Sequence, residues 1–423
     1  MKSVARSFLL VSMLLTACLL AGCAADQGHV PQNTPGPTVT GQVAALPPPT
    51  ATATPQPTAP AEESPTPVPL AEHPGDFEQY ADTIVTYLND SQGDEDGLRA
   101  MLEKWQALRR VTDLLRVDVD DDSAGELVMV VVDPSPDYGV NLRGDILVVD
   151  KDEQRYSLAY SAAGESLLLD PALIEIDDLN GDGHTEMAFS STSCGAHTCF
   201  TTVFIVASGT GQYQDLTGGG IEMSYIASSF VDRDGDGVRE LIMYGGTIGS
   251  VGAGPQRERT EVYKWNGTAY VPSETVYDYS NYLYYKVLGA NQALLDGEYE
   301  GAVALYREAI DNPNLDVWME EGERVELAAF SRYRLTLTYL LLGEVASAQA
   351  TRNELLAAQP DNIYAQVVSV FWDSYERDAD LKVACEQVGE FAAAHPETVE
   401  VLADYRYGNP TFTAEEVCPV ELF

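Results

Sequence analysis

The sequence predicts a multidomain β + α protein: an incomplete propeller-like β-repeat domain followed by an α-helical solenoid. Three observations predict it. An acidic nine-residue pattern recurs at 118, 178 and 232, each time just ahead of an apolar, strand-like run. A hairpin-like segment follows each copy at a similar distance. From residue 279 onward the apolar residues fall at helical spacing, punctuated by turn glycines and small residues.

Residues 1–22 read as a secretory leader. Lys2 and Arg6 supply the positive start, and Phe8–Leu20 supply an apolar run too short to span a bilayer comfortably. The run ends in Leu20-Ala21-Gly22-Cys23, which resembles the bacterial lipobox. The resemblance implies cleavage before Cys23 and lipidation of that cysteine. The expected location is therefore extracytoplasmic, lipid-anchored to the cell membrane at the cell surface or the periplasmic face. Residues 23–72 are dominated by proline, threonine and alanine, as in Pro47-Pro48-Pro49-Thr50. Such sequence cannot build a core and reads as a disordered tether.

Residues 73–109 read as a helical cap of two helices. Phe77, Tyr80, Ala81, Ile84, Val85 and Leu88 make one stripe, and Leu98, Met101, Leu102, Trp105 and Leu108 make the other. Both are expected to pack on the domain that follows, with a dimerisation helix as the alternative. Residues 110–278 are expected to be β. Each unit reads as strand, acidic loop, strand, connection, hairpin. Asn266-Gly267 is a strong hairpin signal in the last unit. The loops start 60 and 54 residues apart (178 − 118 and 232 − 178), a blade-like period.

The loops carry the chemistry. Asp118, Asp120, Asp122 and Glu126 occupy the first, third, fifth and ninth places of the first. Asp178, Asn180, Asp182 and Glu186 do so in the second, and Asp232, Asp234, Asp236 and Glu240 in the third. Oxygens on alternate residues of a tight turn converge, and their charges repel unless a cation sits among them. Ca²⁺ matches best, because it accepts six to eight oxygens in a tolerant geometry. The seventh residue (Ala124, His184, Val238) would lend a backbone carbonyl, and the ninth-place glutamate would close the site. The sixth place is glycine in two loops and Ser123 in the first. The His184 side chain is expected to be solvated. The pattern begins like an EF-hand loop, but its last acid comes at nine and a strand follows. It resembles the FG-GAP or integrin-type calcium repeat over roughly 110–278, without that family's Phe-Gly…Gly-Ala-Pro signature. The resemblance implies calcium liganding by the acids and Asn180.

Residues 279–400 read as helical. Gly297, Ala302, Tyr306 and Ala309, with Pro313 after them, resemble the second half of a tetratricopeptide repeat. A second copy runs through Gly343, Ala348 and Leu355 to Pro360. A third, with Ala384, Val388, Phe391 and Pro396, lacks the turn glycine. The glycines lie 46 apart (343 − 297), which an insertion around Asn312–Glu323 would explain. Residues 401–423 read as a cap. Once Cys18 and Cys23 are set aside, four cysteines remain. The expected local pairing is Cys194–Cys199 and Cys385–Cys418.

The chain carries 24 Lys+Arg against 66 Asp+Glu, a net charge of −42, which argues against nucleic-acid binding. No paired histidines at metal-ligand spacing, no Gly-x-Ser-x-Gly elbow and no phosphate loop are present. The expected function is non-enzymatic. It is a calcium-binding scaffold, held to the membrane by lipid on Cys23, whose helical repeats offer a surface to a protein partner. A polysaccharide-binding module is the alternative, with the aromatic run Tyr279–Tyr285 as a stacking surface or else as core at a domain junction. A hydrolase drawing its acids from the loops ranks last.

Overall fold

A computed structural model of the chain describes residues 68–135, 140–152, 155–164, 167–209, 212–319, 321–403 and 405–422. The expected leader, Cys23 and the tether up to residue 67 lie outside them. The described part is mixed β and α, with two helices, then antiparallel sheets, then a second helical region.

Packing starts slightly earlier than the expected boundary at residue 73. Val68 and Ala71 lie against the first helices, and Trp105 Nε1 donates to the Ala71 carbonyl at 3.3 Å. Helices α1 (Tyr80–Asp90) and α2 (Glu95–Lys104) follow. Asp94 caps α2 by accepting from Gly97 N at 3.0 Å. Glu95 and Asp96 in its first turn and Lys104 in its last complement the helix dipole. Most of both predicted stripes is buried, with Ala81, Val85 and Leu108 half-buried against the same cluster.

Three antiparallel sheets succeed one another. The first runs β1 (Leu114–Val117), β2 (Glu126–Val132), β3 (Arg143–Asp152) and β4 (Arg155–Ser161), with the short β5 (Leu168–Leu169) also on β3. The second comprises β6 (Ala172–Asp177), β7 (Glu186–Gly195), β8 (Thr198–Ser208), β9 (Tyr213–Asp215) and β10 (Ile221–Ser224). Its order is β10-β8-β7-β6, with β9 also on β8. The third runs β11 (Ala227–Val231), β12 (Glu240–Gly245), β13 (Arg259–Trp265) and β14 (Tyr270–Tyr277) in sequence order. In each sheet an acidic loop joins the first strand to the second.

Strand alternation assigns the faces. Leu127, Met129, Val131, Leu147 and Val149 of the first sheet pack on α1 and α2. Val128, Val130, Ile146 and Val148, on its other face, meet Met187, Phe189 and Val206 of the second. The second sheet then turns Ala188, Val203 and Ile205 toward Leu241, Met243 and Phe230 of the third. All seven residues of β2 are buried, because both faces of that strand are covered. The two helices thus shield the outer face of the first sheet. The bond between Cys194 and Cys199 links directly paired residues of β7 and β8.

The helical region holds α3 (Leu283–Leu295), α4 (Tyr299–Asp311), α5 (Glu321–Leu341), α6 (Val345–Ala358), α7 (Ile363–Asp378), α8 (Leu381–Ala394) and α9 (Glu397–Ala403). Gly297 and Gly343 end α3 and α5 at φ +77° and +76°, where glycine carries no side-chain penalty. The third turn, without a glycine, puts Ala379 in the same left-handed region at φ +51°. Ala302, Tyr306, Ala309, Ala348 and Leu355 are buried as the pattern requires. The long spacing between the glycines comes from the segment after α4 and from an α5 of 21 residues.

Of the aromatic run, Tyr284 and Tyr285 are buried while Tyr279 is 76% exposed. The end of the run, Leu283 to Tyr285, is core at the junction, while Ser280, Asn281 and Tyr282 are half-buried. Tyr285 Oη donates to the Pro255 carbonyl at 2.8 Å, and the Arg257 guanidinium lies 4.0 Å from the Tyr277 ring and 4.5 Å from that of Tyr285. The tail closes the same junction. Tyr405 stacks on Tyr284 with centroids 3.6 Å apart, Asn409 Nδ2 donates to the Ala253 carbonyl, and Cys418 is bonded to Cys385 of α8.

Leu98 is fully buried between α2 and the first sheet. Leu98→Ala should lower unfolding free energy by about 2–5 kcal/mol. Urea denaturation followed by circular dichroism measures this. A loss under about 1 kcal/mol would mean that the helices are not part of the core.

Candidate metal centre

The acidic loops connect β1 to β2, β6 to β7 and β11 to β12, and they share one backbone. The fourth and sixth residues of each are left-handed: Asp121 and Ser123 (φ +62° and +71°), Gly181 and Gly183 (+75° and +89°), Gly235 and Gly237 (+80° and +90°). The glycine at the sixth place was expected. The equal demand at the fourth was not, and in the first loop two residues with side chains meet both.

The acids bond the loop's own amides. Asp178 accepts from Gly181 N at 2.8 Å and Gly183 N at 3.0 Å, and Asp232 from Gly235 N at 2.7 Å and Gly237 N at 3.1 Å. In the first loop only the sixth-place bond forms, from Ser123 N to Asp118 Oδ2 at 3.0 Å. The fifth-place acid accepts from the seventh amide in all three, Ala124, His184 and Val238 donating to Asp122, Asp182 and Asp236.

The ninth-place glutamates are the most buried part of the site: Glu126 is 1% exposed, Glu186 0% and Glu240 2%. Each spends one oxygen on the amide of its loop's second residue. Val119 N donates to Glu126 Oε2 at 2.7 Å, Leu179 N to Glu186 Oε2 at 2.9 Å and Arg233 N to Glu240 Oε2 at 2.9 Å. Their role is thus partly to hold the loop shut, as well as to face its centre.

The other oxygen has a different environment in each loop. Glu240 Oε1 meets Lys264 Nζ at 3.0 Å, and the same ammonium lies 2.9 Å from Asp234 Oδ2. Glu186 Oε1 accepts from Asn180 Nδ2 at 3.0 Å. Glu126 Oε1 is buried and, like Asp118 Oδ1, has no hydrogen-bond partner among the described residues. Burial, assisted by the charges of Asp120, Asp118 and Asp150, pushes the Glu126 carboxyl above its ordinary value. Burial likewise pushes Glu186 up to about 7, against the opposing bonds from the Leu179 and Asn180 amides.

Among the described residues, two trios of acids bring ligand oxygens within 4.8 Å of one another: Asp118, Asp120 and Glu126, and Asp232, Asp234 and Asp236. The second loop, with Asn180 at its third place, forms no such trio. The first trio suits a hard cation. Its donors are all oxygens, and two of its buried oxygens lack a partner.

The loops also touch one another. Asp121 Oδ2 lies 2.9 Å from His184 Nδ1 of the second loop, and Asp121 Oδ1 accepts from Thr185 Oγ1 at 3.3 Å. The His184 side chain, expected to be merely solvated, is 67% exposed but tied to the first loop. This contact raises the imidazole's proton affinity and lowers that of the Asp121 carboxyl. Arg239 N of the third loop donates to the Leu179 carbonyl of the second at 2.9 Å, as does Tyr270 Oη at 3.0 Å. Sequence reasoning missed Asp121, Asp150 and Lys264. Only the last two left a signal, since each stands 24 residues after its loop's closing glutamate (150 − 126 and 264 − 240).

Comparison of this chain with protein-family models, with curated proteins and with solved structures finds no match.

Left-handed backbone at a residue with a side chain costs about 1–2 kcal/mol, and glycine's extra chain entropy returns part of that. Ser123→Gly should therefore stabilise the fold by about 0.5–1 kcal/mol. The urea midpoint should rise; a fall would show that the hydroxyl matters more than the backbone.

Proposed function

We propose that this chain is a non-enzymatic extracytoplasmic scaffold, anchored through lipid on Cys23, whose β part is rigidified by a divalent cation. Calcium is the ion the donor set favours, since every candidate ligand is a carboxylate, amide or carbonyl oxygen. One observation carries the proposal: Glu126 Oε1 and Asp118 Oδ1 are buried beside Asp120 without a hydrogen-bond partner among the described residues. Buried anionic oxygens without a partner are costly, and a cation among them removes the cost. In this reading Asp118, Asp120, Asp122 and Glu126 hold the ion, with the Ala124 carbonyl. The three sheets are the blades of a propeller-like array, and α3 to α8 form a tetratricopeptide-like stack.

The partner surface is assigned to a groove of about 660 Å³ on the helical region, lined by Met319, Glu323, Glu326, Asp361, Glu397 and Glu400. Four exposed acids, Glu326, Asp361, Glu397 and Glu400, beside an exposed methionine suit a basic segment with apolar side chains.

Calcium should raise the melting temperature over that in chelator. At about 100 times the dissociation constant one site adds about 2.7 kcal/mol. An unchanged midpoint at saturating calcium sinks the proposal. The groove is tested separately. Glu397→Lys with Glu400→Lys should abolish binding of a basic amphipathic peptide at low salt while the circular dichroism of the fold is kept, with a small loss of melting temperature because both residues lie in the first turn of α9; retained binding would relocate the partner surface.

A further inference from the structure

We propose that the first loop, completed by Asp150, is the divalent-cation site of this chain, and that Lys264 is the third loop's own built-in cation. The inference rests on the scaffold reading above and says which loop the ion occupies.

The three loops share a backbone and a buried closing glutamate, so what differs is the residue across the sheet. On β2 and β3, Leu127 pairs with Val149, and one step further sets Asp150 opposite Glu126. On β7 and β8, Glu186 pairs with Ala207. On β12 and β13, Leu241 pairs with Tyr263, and one step further sets Lys264 opposite Glu240. The same place in the sheet thus carries an acid, a neutral methyl and an ammonium.

In the third loop the ammonium bridges Asp234 and Glu240 at 2.9 and 3.0 Å. Those are the third- and ninth-place carboxylates that an ion would need. Lys264 therefore supplies positive charge where a metal would supply it, and an incoming cation would be repelled by it. In the second loop Asn180 removes one charge, and its amide already holds the inward oxygen of Glu186.

The first loop has neither device. Asp118, Asp120, Asp122 and Glu126 face a half-buried Asp150, and among the described residues no lysine or arginine side chain is paired with any of the five; the Arg116 guanidinium reaches only the Gly125 carbonyl of this loop. Like charges directly across two strands destabilise a sheet. Here one of them is 1% exposed, with an oxygen that has no hydrogen-bond partner among the described residues. A divalent ion between the loop and Asp150 turns this repulsion into coordination, and the added carboxylate raises affinity.

Isothermal titration of the chelator-treated full chain with Ca²⁺ tests this. Wild type should bind, and Asp150→Asn should weaken the tightest site about tenfold without changing the fold. Lys264→Gln should gain one bound ion, and Lys264→Arg, which keeps the charge, should gain none. Unchanged affinity in Asp150→Asn overturns the proposal. So does a Lys264→Gln chain of wild-type circular dichroism that gains no ion; if that variant does not fold, the Asp150→Asn result decides alone. A wild-type chain that takes up no Ca²⁺ overturns the scaffold reading itself, and with it this one.

Discussion

A buried carboxylate must be answered by hydrogen bonds, by a proton or by positive charge, and the β part of this molecule is arranged around three of them. Glu126, Glu186 and Glu240 each begin the second strand of their sheet, and each holds the amide of its own loop's second residue. That bond fixes where the loop leaves the first strand and where the second begins. The second residues Val119 and Leu179 are thereby buried, and Leu179 joins the core between the second and third sheets. Charge balance at the loops and packing between the sheets are therefore one problem.

The contacts between loops extend this constraint across the sheets. Asp121 reaches His184 and Thr185, and Leu179 receives Arg239 N and Tyr270 Oη. Arg239 also pairs with Glu175 and Asp177 on β6, at 2.5 Å each. These last pairs are partly exposed and contribute little by themselves. Their value is positional, since they join successive sheets at the end where the acids gather. An ion in one loop would then stiffen its neighbours through bonds that already exist.

Much of this was legible in the residues. Alternating acids with a ninth-place glutamate announced the loops, because oxygen convergence depends only on local spacing. The stripes of α1 and α2 and the turn glycines Gly297 and Gly343 were legible for the same reason: each reports a period or a dihedral angle set within a few residues. Ala379 was not, because an alanine in a left-handed turn leaves no mark in composition. Asp150 and Lys264 were hidden differently. Each lies 24 residues from the glutamate it faces, and only strand register brings them together. The inward oxygens were out of reach as well, since burial at the base of a loop depends on which sheet packs over it.

The account stands on the first loop needing positive charge from outside the chain. Diffraction from crystals grown with calcium, read at a wavelength where the ion scatters anomalously, tests it most directly. The account predicts an anomalous peak among Asp118, Asp120 and Glu126, with Asp150 turned toward it. A peak absent there at saturating calcium, with Glu126 Oε1 bonded to an ordered water or to a neighbouring carboxyl that shares its proton, would contradict it.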